Sequence, residues 1–231
     1  MAKITIYVVR HGKTLMNQLE RVQGWCDSPL IKEGIDAARF LGYGLSDITF
    51  RTAYCSDLSR TKQTARIVLE AKGQDDIPII ELAGLKEACF GSFESDHIHK
   101  MWADVALHLR FRSADEMANS ILSKELSYKD VLNAIKEIDS MNMAESFEEV
   151  EARTQESLRE IAANEEQYGD ADILVVSHGM SILAMLLGLG GDKVFTKPMA
   201  NAAVCKVTYQ DGTFVVETMG DMSYLERGKV L

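Results

Sequence analysis

Residues 4–14 read ITIYVVRHGKT, and the way this stretch ends decides the fold. Ile, Thr, Ile, Tyr, Val and Val in succession suit a pleated, buried strand over 4–10. The run then stops on Arg10-His11-Gly12, which puts a cation and an imidazole at the tip of a strand. Further β-rich runs stand at TAYCS (52–56), IPIIEL (77–82), DILVVSH (172–178), AAVCKVTY (202–209) and TFVVETM (213–219). The last two flank Gln210-Asp211-Gly212, a hairpin signal, so one edge of the sheet is expected to be antiparallel.

Helical patterns fill the gaps at about 31–46, 57–73, 146–168 and 179–188. Ser146 and Glu149 have capping-box spacing at the start of the third of these. The segment MSILAMLLGLG (180–190) is apolar all round and ends in glycines, as a buried helix with its C-cap does. Strands alternating with helices predict an α/β fold, a three-layer αβα sandwich on a mostly parallel sheet. Residues 97–145 are polar, helical in composition and without strand patterns. They read as a helical insertion leaning over one end of the sheet, near the active site. The whole chain, 1–231, is expected to form a single domain.

Composition narrows the function classes. With 35 acidic against 25 basic residues the net charge is −10, which disfavours broad binding to nucleic acid or an anionic membrane. Any anionic partner needs a local basic site. Cys26, Cys55, Cys89 and Cys205 lie far apart without a C-x-x-C pair, as in a reduced, cytoplasmic protein. No stretch approaches the roughly 20 apolar residues of a membrane span. The opening segment, which meets Arg10 early, reads as a strand rather than a signal peptide.

Ligands of open α/β sheets bind beyond the carboxyl ends of the strands. Here those ends carry Arg10 and His11, then Ser56 with Arg60 in the following helical turn, then Ser177, His178 and Gly179. A lone histidine at a strand end is commonly structural, and a lone arginine in a first helical turn is commonly solvated. Four such residues at equivalent topological places, beside helix amino termini that favour anions, suit a phosphate dianion.

At these places the sequence resembles the histidine phosphatase superfamily, the phosphoglycerate-mutase-like branch known by its RHG motif. The segments that carry the resemblance are RHGKTLMNQLERVQGWCDSPLIKEG (10–34), YCSDLSRTKQTA (54–65), LKEACFGSFES (85–95) and VVSHG (175–179). The resemblance implies His11 as nucleophile, attacking phosphorus to give a phosphohistidine. It implies Arg10, Arg60 and His178 as holders of the phosphoryl oxygens. Glu87 would protonate the leaving oxygen and then activate water. No metal and no cofactor are implied. Asn17 and Gln23 match polar pocket positions, and Ser56 could face the phosphate; for each, a cap or turn role is an equal reading. Gly12 and Gly179 are read as points of close backbone approach. His97, His99 and His108 are read as surface residues, Glu81 as a strand-end or partner-facing residue, and Glu94 as solvent-facing.

Lys13 stands where the family usually has an acid, and Ala88-Cys89 follow Glu87 where mutases usually carry basic and aromatic residues. The insertion lacks the adjacent arginine pair expected of a mutase. The expectation is therefore a phosphomonoesterase acting on a small cytoplasmic phosphorylated metabolite. The alternative is a 2,3-bisphosphoglycerate-dependent phosphoglycerate mutase; a phospho-ligand-binding regulator without turnover ranks behind it. A small-molecule phosphomonoester is the partner implied, and a homodimer is left open. Lys13 has two readings, a solvated lysine after a turn or a cation at the pocket mouth.

Overall fold

The protein is described here by a computed structural model covering residues 2–195 and 199–230. Strand β1 (Ile4–Arg10) is followed by a short helix α1 (Leu15–Gln18) and by α2 (Lys32–Gly44). Then come β2 (Phe50–Cys55), α3 (Ser59–Ala71) and β3 (Ile79–Glu81). Three helices, α4 (Ile98–His108), α5 (Ala114–Leu122) and α6 (Tyr128–Ile138), make up the insertion. The long α7 (Phe147–Glu166), β4 (Ala171–Ser177) and α8 (Gly179–Leu187) return the chain to the sheet. Strands β5 (Val204–Gln210) and β6 (Thr213–Asp221) and helix α9 (Ser223–Gly228) end it.

The six strands form one sheet in the order β3-β2-β4-β1-β5-β6. β1, β2, β3 and β4 run parallel, while β5 is antiparallel to both β1 and β6. The expected α/β sheet with an antiparallel edge is thus present. Asp211 (φ 53°) and Gly212 (φ 77°) both occupy the left-handed region, as the tight primed turn between β5 and β6 requires.

Alternation along β1 builds the layers. Ile4, Ile6 and Val8 point to one face and pack with Leu158 and Ile161 of α7 and Ile182 and Leu186 of α8. Tyr7 and Val9 point to the other, against Leu41 of α2, Val68 of α3 and Leu225 of α9. Each such side chain, fully buried, stabilises the fold by roughly 1.5–3 kcal/mol. A third apolar cluster joins Met101, Met117, Leu132 and Ile135 of the insertion to Phe90, Phe93, Val150 and Ala184. It seats the insertion over the carboxyl end of the sheet.

Two elements depart from the sequence reading. β3 covers only Ile79–Glu81, an edge strand paired to β2 at three positions; Pro78 has no N–H to extend the ladder. Helix α8 ends with Gly188 in ordinary helical geometry, and the left-handed residue is Gly190 (φ 87°), two positions later. The capping box at Ser146 and Glu149 is formed as read.

Candidate active site

Register brings three strand tips level. Arg10 pairs with Ser177 across β1 and β4, and Cys55 with Val176 across β2 and β4. The next residues, His11, Ser56 and His178, therefore leave the sheet at one rim. His11 N–H donates to Ser177 O (3.0 Å), and Ser56 N–H to Val176 O (3.3 Å). Gly12 N–H donates to Thr64 Oγ1 on α3 (3.0 Å). A Cβ on Gly12 would lie 2.7 Å from Gly34 O, so glycine alone lets this loop pass the start of α2.

His11 is 3% exposed, and its Nδ1 lies 2.8 Å from Gly12 O. A carbonyl only accepts, so Nδ1 carries the proton and Nε2 keeps its lone pair. Burial, then the Arg60 and Arg10 charges, hold the imidazole pKa well below its ordinary 6.5, against the opposing Gly12 bond. The ring is neutral at pH 7 with a free nitrogen, which is the state a nucleophile needs.

Arg10 reaches out from the tip of β1, its Nη1 donating to Met199 O (2.5 Å). Its Nε is buried without a hydrogen-bond partner among the described residues. Buried donors rarely go unpaired, so this one is available to an incoming oxygen. Gly179 lies beside that Nε, where a Cβ would sit 3.4 Å away.

Arg60 and His178, both 0% exposed, form the wall behind. Arg60 Nε donates to His178 Nδ1 (3.1 Å), Nη1 to Cys26 O (2.8 Å) and Asp27 Oδ1 (3.0 Å), and Nη2 to Gly24 O (2.7 Å). Of its five N–H bonds one, on Nη2, remains. His178 Nε2 must then carry a proton, which goes to Ser56 Oγ (2.8 Å). The pKa of His178 is likewise held well below 6.5, by burial first and then by Arg60, His11 and Arg10. The His11 and His178 rings lie 5.2 Å apart. Ser56 is thus a partner of His178, and the residue before α3 is Leu58, without a side-chain cap. Asp27 supplies that cap instead, accepting from Ser59 N–H and Oγ (both 2.6 Å). Burial raises the Asp27 pKa, but the bonds from Ser59 and Arg60 outweigh it and leave the net shift downward.

Glu87 is 6% exposed and lies against the amino terminus of α8. Its Oε1 accepts from Ala88 N–H (2.9 Å), Ser181 N–H (2.9 Å) and Ser181 Oγ (3.1 Å), and its Oε2 from Met180 N–H (3.2 Å). The loop that carries it is clamped by Arg153, which donates to the carbonyls of Gly84 (2.9 Å), Lys86 (2.6 Å) and Glu87 (3.0 Å). Glu145 aligns Arg153 by a 2.7 Å ion pair. The other two carboxylates are elsewhere. Glu81 is exposed and paired to Lys62 at 2.8 Å. Glu94 does not face solvent: it accepts from the N–H groups of Gly24 (3.2 Å), Trp25 (2.9 Å), Cys26 (3.0 Å) and Phe90 (3.0 Å). A carboxylate so held fixes the 24–26 loop whose carbonyls grip Arg60.

A cavity of about 270 Å³ opens between this rim and the insertion, with Arg10, His11, Asn17, Gln23, Glu87 and Gly179 in its wall. Arg60, His178 and Ser56 stand behind that wall. Asn17 and Gln23 line the cavity, and each also holds α1 in place: Asn17 Oδ1 accepts from Thr14 N–H (3.2 Å) and Gln23 Oε1 from Thr14 Oγ1 (2.6 Å). Lys13 is outside, with its Nζ on Gln18 Oε1 (2.5 Å); the second cation in the wall is Arg21. Sequence reading missed Arg21, Asp27, Glu145 and Arg153, which lie in no strand-end pattern.

All four cysteines are free, and burial raises the thiols of Cys55 and Cys205 to about 12. His97, His99 and His108 are exposed, as read. Among the described residues no helix is long and apolar enough to cross a membrane, and no three His, Cys, Asp or Glu side chains cluster as a metal site would require.

The fold is shared with known proteins. A phosphoglycerate mutase from Bacillus anthracis str. Sterne superposes with a TM-score of 0.92 at 37% identity, over 99% of this chain and 97% of that one. A probable phosphoglycerate mutase, GpmB of Escherichia coli, is 30% identical over 96% of this chain and 95% of its own length. A phosphoserine phosphatase from Entamoeba histolytica shares the fold, with a TM-score of 0.69 at 22% identity, over 96% of this chain and 99% of that one. The family model of the histidine phosphatase superfamily (branch 1) matches residues 6–222, from the first strand to the last, and with that match the chain belongs to this superfamily.

Proposed function

We propose that the protein is a phosphomonoesterase working through a phosphohistidine on His11, without metal or cofactor, on a small cytoplasmic phosphorylated metabolite. The observation that carries this reading is the neutral, tautomer-fixed His11 beside the Nε of Arg10, unpartnered among the described residues. In the first step His11 Nε2 forms a bond to phosphorus as the P–O bond to the alcohol breaks. Glu87 in its protonated form gives that oxygen its proton. Arg10 and the remaining Nη2 N–H of Arg60 offset charge on the phosphoryl oxygens. His178 joins them if its Nε2–H leaves Ser56 for a phosphoryl oxygen. In the second step Glu87 takes a proton from water, the water oxygen bonds to phosphorus, and the N–P bond breaks to restore His11.

The names of the curated relatives favour a mutase, while several structural neighbours are named phosphatases. The cavity wall supports hydrolysis: among the described residues its one cation beyond Arg10 is Arg21, and most of the remainder is apolar. A mutase must grip a second phosphate or a carboxylate and keep water from its phosphohistidine.

Two measurements test the proposal. Enzyme quenched during turnover should carry an acid-labile, base-stable phosphate on His11, and His11→Ala should neither label nor turn over; phosphate on another residue would overturn the mechanism. Incubation with 3-phosphoglycerate and a trace of the bisphosphate should release free phosphate, in EDTA as well as without it. Rapid conversion to 2-phosphoglycerate without phosphate release would make the protein a mutase.

A further inference from the structure

Beside the rim residues, the cavity is walled by Phe90, Trp102, Val131, Ile135, Met180 and Leu183. Trp102 comes from α4 and Val131 and Ile135 from α6, so the insertion builds this wall over the sheet. Into the same wall comes Arg21, its Nη1 held on Ser95 O at 2.9 Å. Among the described residues Arg21 forms no ion pair. The acids beside Ser95 are already engaged, Glu94 by backbone N–H groups and Asp96 by Lys100. Glu87, the one acid in the cavity wall among the described residues, is turned onto the start of α8. A cation without an acid partner, set in an apolar wall, draws an anion more strongly than one in open water.

We infer that the substrate alcohol has an apolar body, lodged between the insertion and α8, and a carboxylate at its far end taken by Arg21. This rests on the phosphatase reading and adds the substrate class to it. A short, hydroxylated body such as that of glycerol phosphate would leave the wall unfilled. An apolar body recovers roughly three- to fourfold in affinity for each methylene buried.

The test compares methyl phosphate, hexyl phosphate and 6-(phosphonooxy)hexanoate, whose leaving alcohols are all simple alkyl. Wild-type kcat/KM should rise at least tenfold from methyl to hexyl and about fivefold more with the carboxylate. In Arg21→Met the carboxylate should lose that advantage over hexyl. No gain from methyl to hexyl overturns the apolar body. No carboxylate advantage in the wild type, or an advantage undiminished in Arg21→Met, overturns the role of Arg21. Calorimetry of methylphosphonate, hexylphosphonate and 6-phosphonohexanoate on the wild type decides the same question without turnover or a variant. If no ester is hydrolysed yet these ligands rank as stated, the phosphatase reading has failed and this one stands.

Discussion

Arg60 Nε donates to His178 Nδ1 at 3.1 Å, and this one bond decides where the His178 proton sits. A guanidinium only donates, so Nδ1 must accept and Nε2 must carry the hydrogen, which reaches Ser56 Oγ at 2.8 Å. Ser56 passes the series on to Thr61 Oγ1 at 2.8 Å, whose own hydroxyl goes to the carbonyls of Ser56 and Leu58. In Ser56→Ala the buried Nε2–H and the Thr61 oxygen lose their partner. We expect a loss of about 1–3 kcal/mol in urea unfolding, with kcat falling more than KM rises. A variant as stable and as active as wild type would show that the series orients nothing.

Stability should depend on pH through the two buried imidazoles. His11 and His178 are both held well below 6.5 in the fold, chiefly by burial. Below pH 6.5 the unfolded chain binds protons that the folded chain refuses, so their contribution is complete above 6.5 and is lost as pH falls. The limiting slope is about 1.4 kcal/mol per pH unit for each group. Urea unfolding between pH 6.5 and 5 should show this decline in wild type. The His11→Asn variant should show a shallower one by up to that slope, and parallel profiles would refute the assignment.

Glu94 acts through Arg60. Its carboxylate gathers the N–H groups of Gly24, Trp25 and Cys26, and the Gly24 and Cys26 carbonyls hold the guanidinium. Glu94→Ala releases that loop and leaves buried donors unmet. Bonds to a charged acceptor contribute roughly 1.5–3 kcal/mol each, so the melting temperature should drop by several degrees. Turnover should fall with it, by about the same factor for every phosphate ester, since Arg60 serves the phosphoryl group common to all. A drop confined to one class of ester would place Glu94 in the substrate cavity instead.

The strand tips were legible because sheet chemistry is local. ITIYVVR must pair and be buried, and Arg10, His11, Ser177 and His178 then sit where the strands end. The hairpin followed from Asp211-Gly212, and the start of α7 from the spacing of Ser146 and Glu149. The supports of the site were not legible, because they are long-range. Arg153 reaches carbonyls 66 to 69 residues away, and Glu94 reaches N–H groups up to 70 residues away. Nothing near either residue in sequence marks its partner. Lys13 is a different case. Of its two readings, the lysine after a turn is the one the structure bears out, since the turn at Thr14 sends it to Gln18. The second cation in the wall is Arg21, which pairs through its backbone with His97 at the edge of the insertion.

Glu87 offers the sharpest test, because three carboxylates lie close in sequence and only one lines the cavity. An alkyl alkoxide needs a proton in the transition state, whereas p-nitrophenolate is already stable as an anion near neutral pH. Glu87→Gln should therefore slow phosphoryl transfer from hexyl phosphate by roughly 10²–10⁴-fold, the usual range for general acid catalysis. Single-turnover transfer from p-nitrophenyl phosphate should fall far less, although later hydrolysis of the phosphohistidine loses its general base and slows. Stability must be followed in parallel. The Gln amide keeps one oxygen but would turn its NH2 toward the N–H of either Met180 or Ser181, which now meet separate carboxylate oxygens, so some loss on melting is expected. That loss is the same whichever ester is assayed, and only the missing proton depends on the leaving group. Glu81→Gln, which merely releases Lys62 at the surface, should leave both rates alone, and Glu94→Gln should lower both together. If leaving-group dependence appears at Glu81 or Glu94 and is absent at Glu87, the general acid is not Glu87.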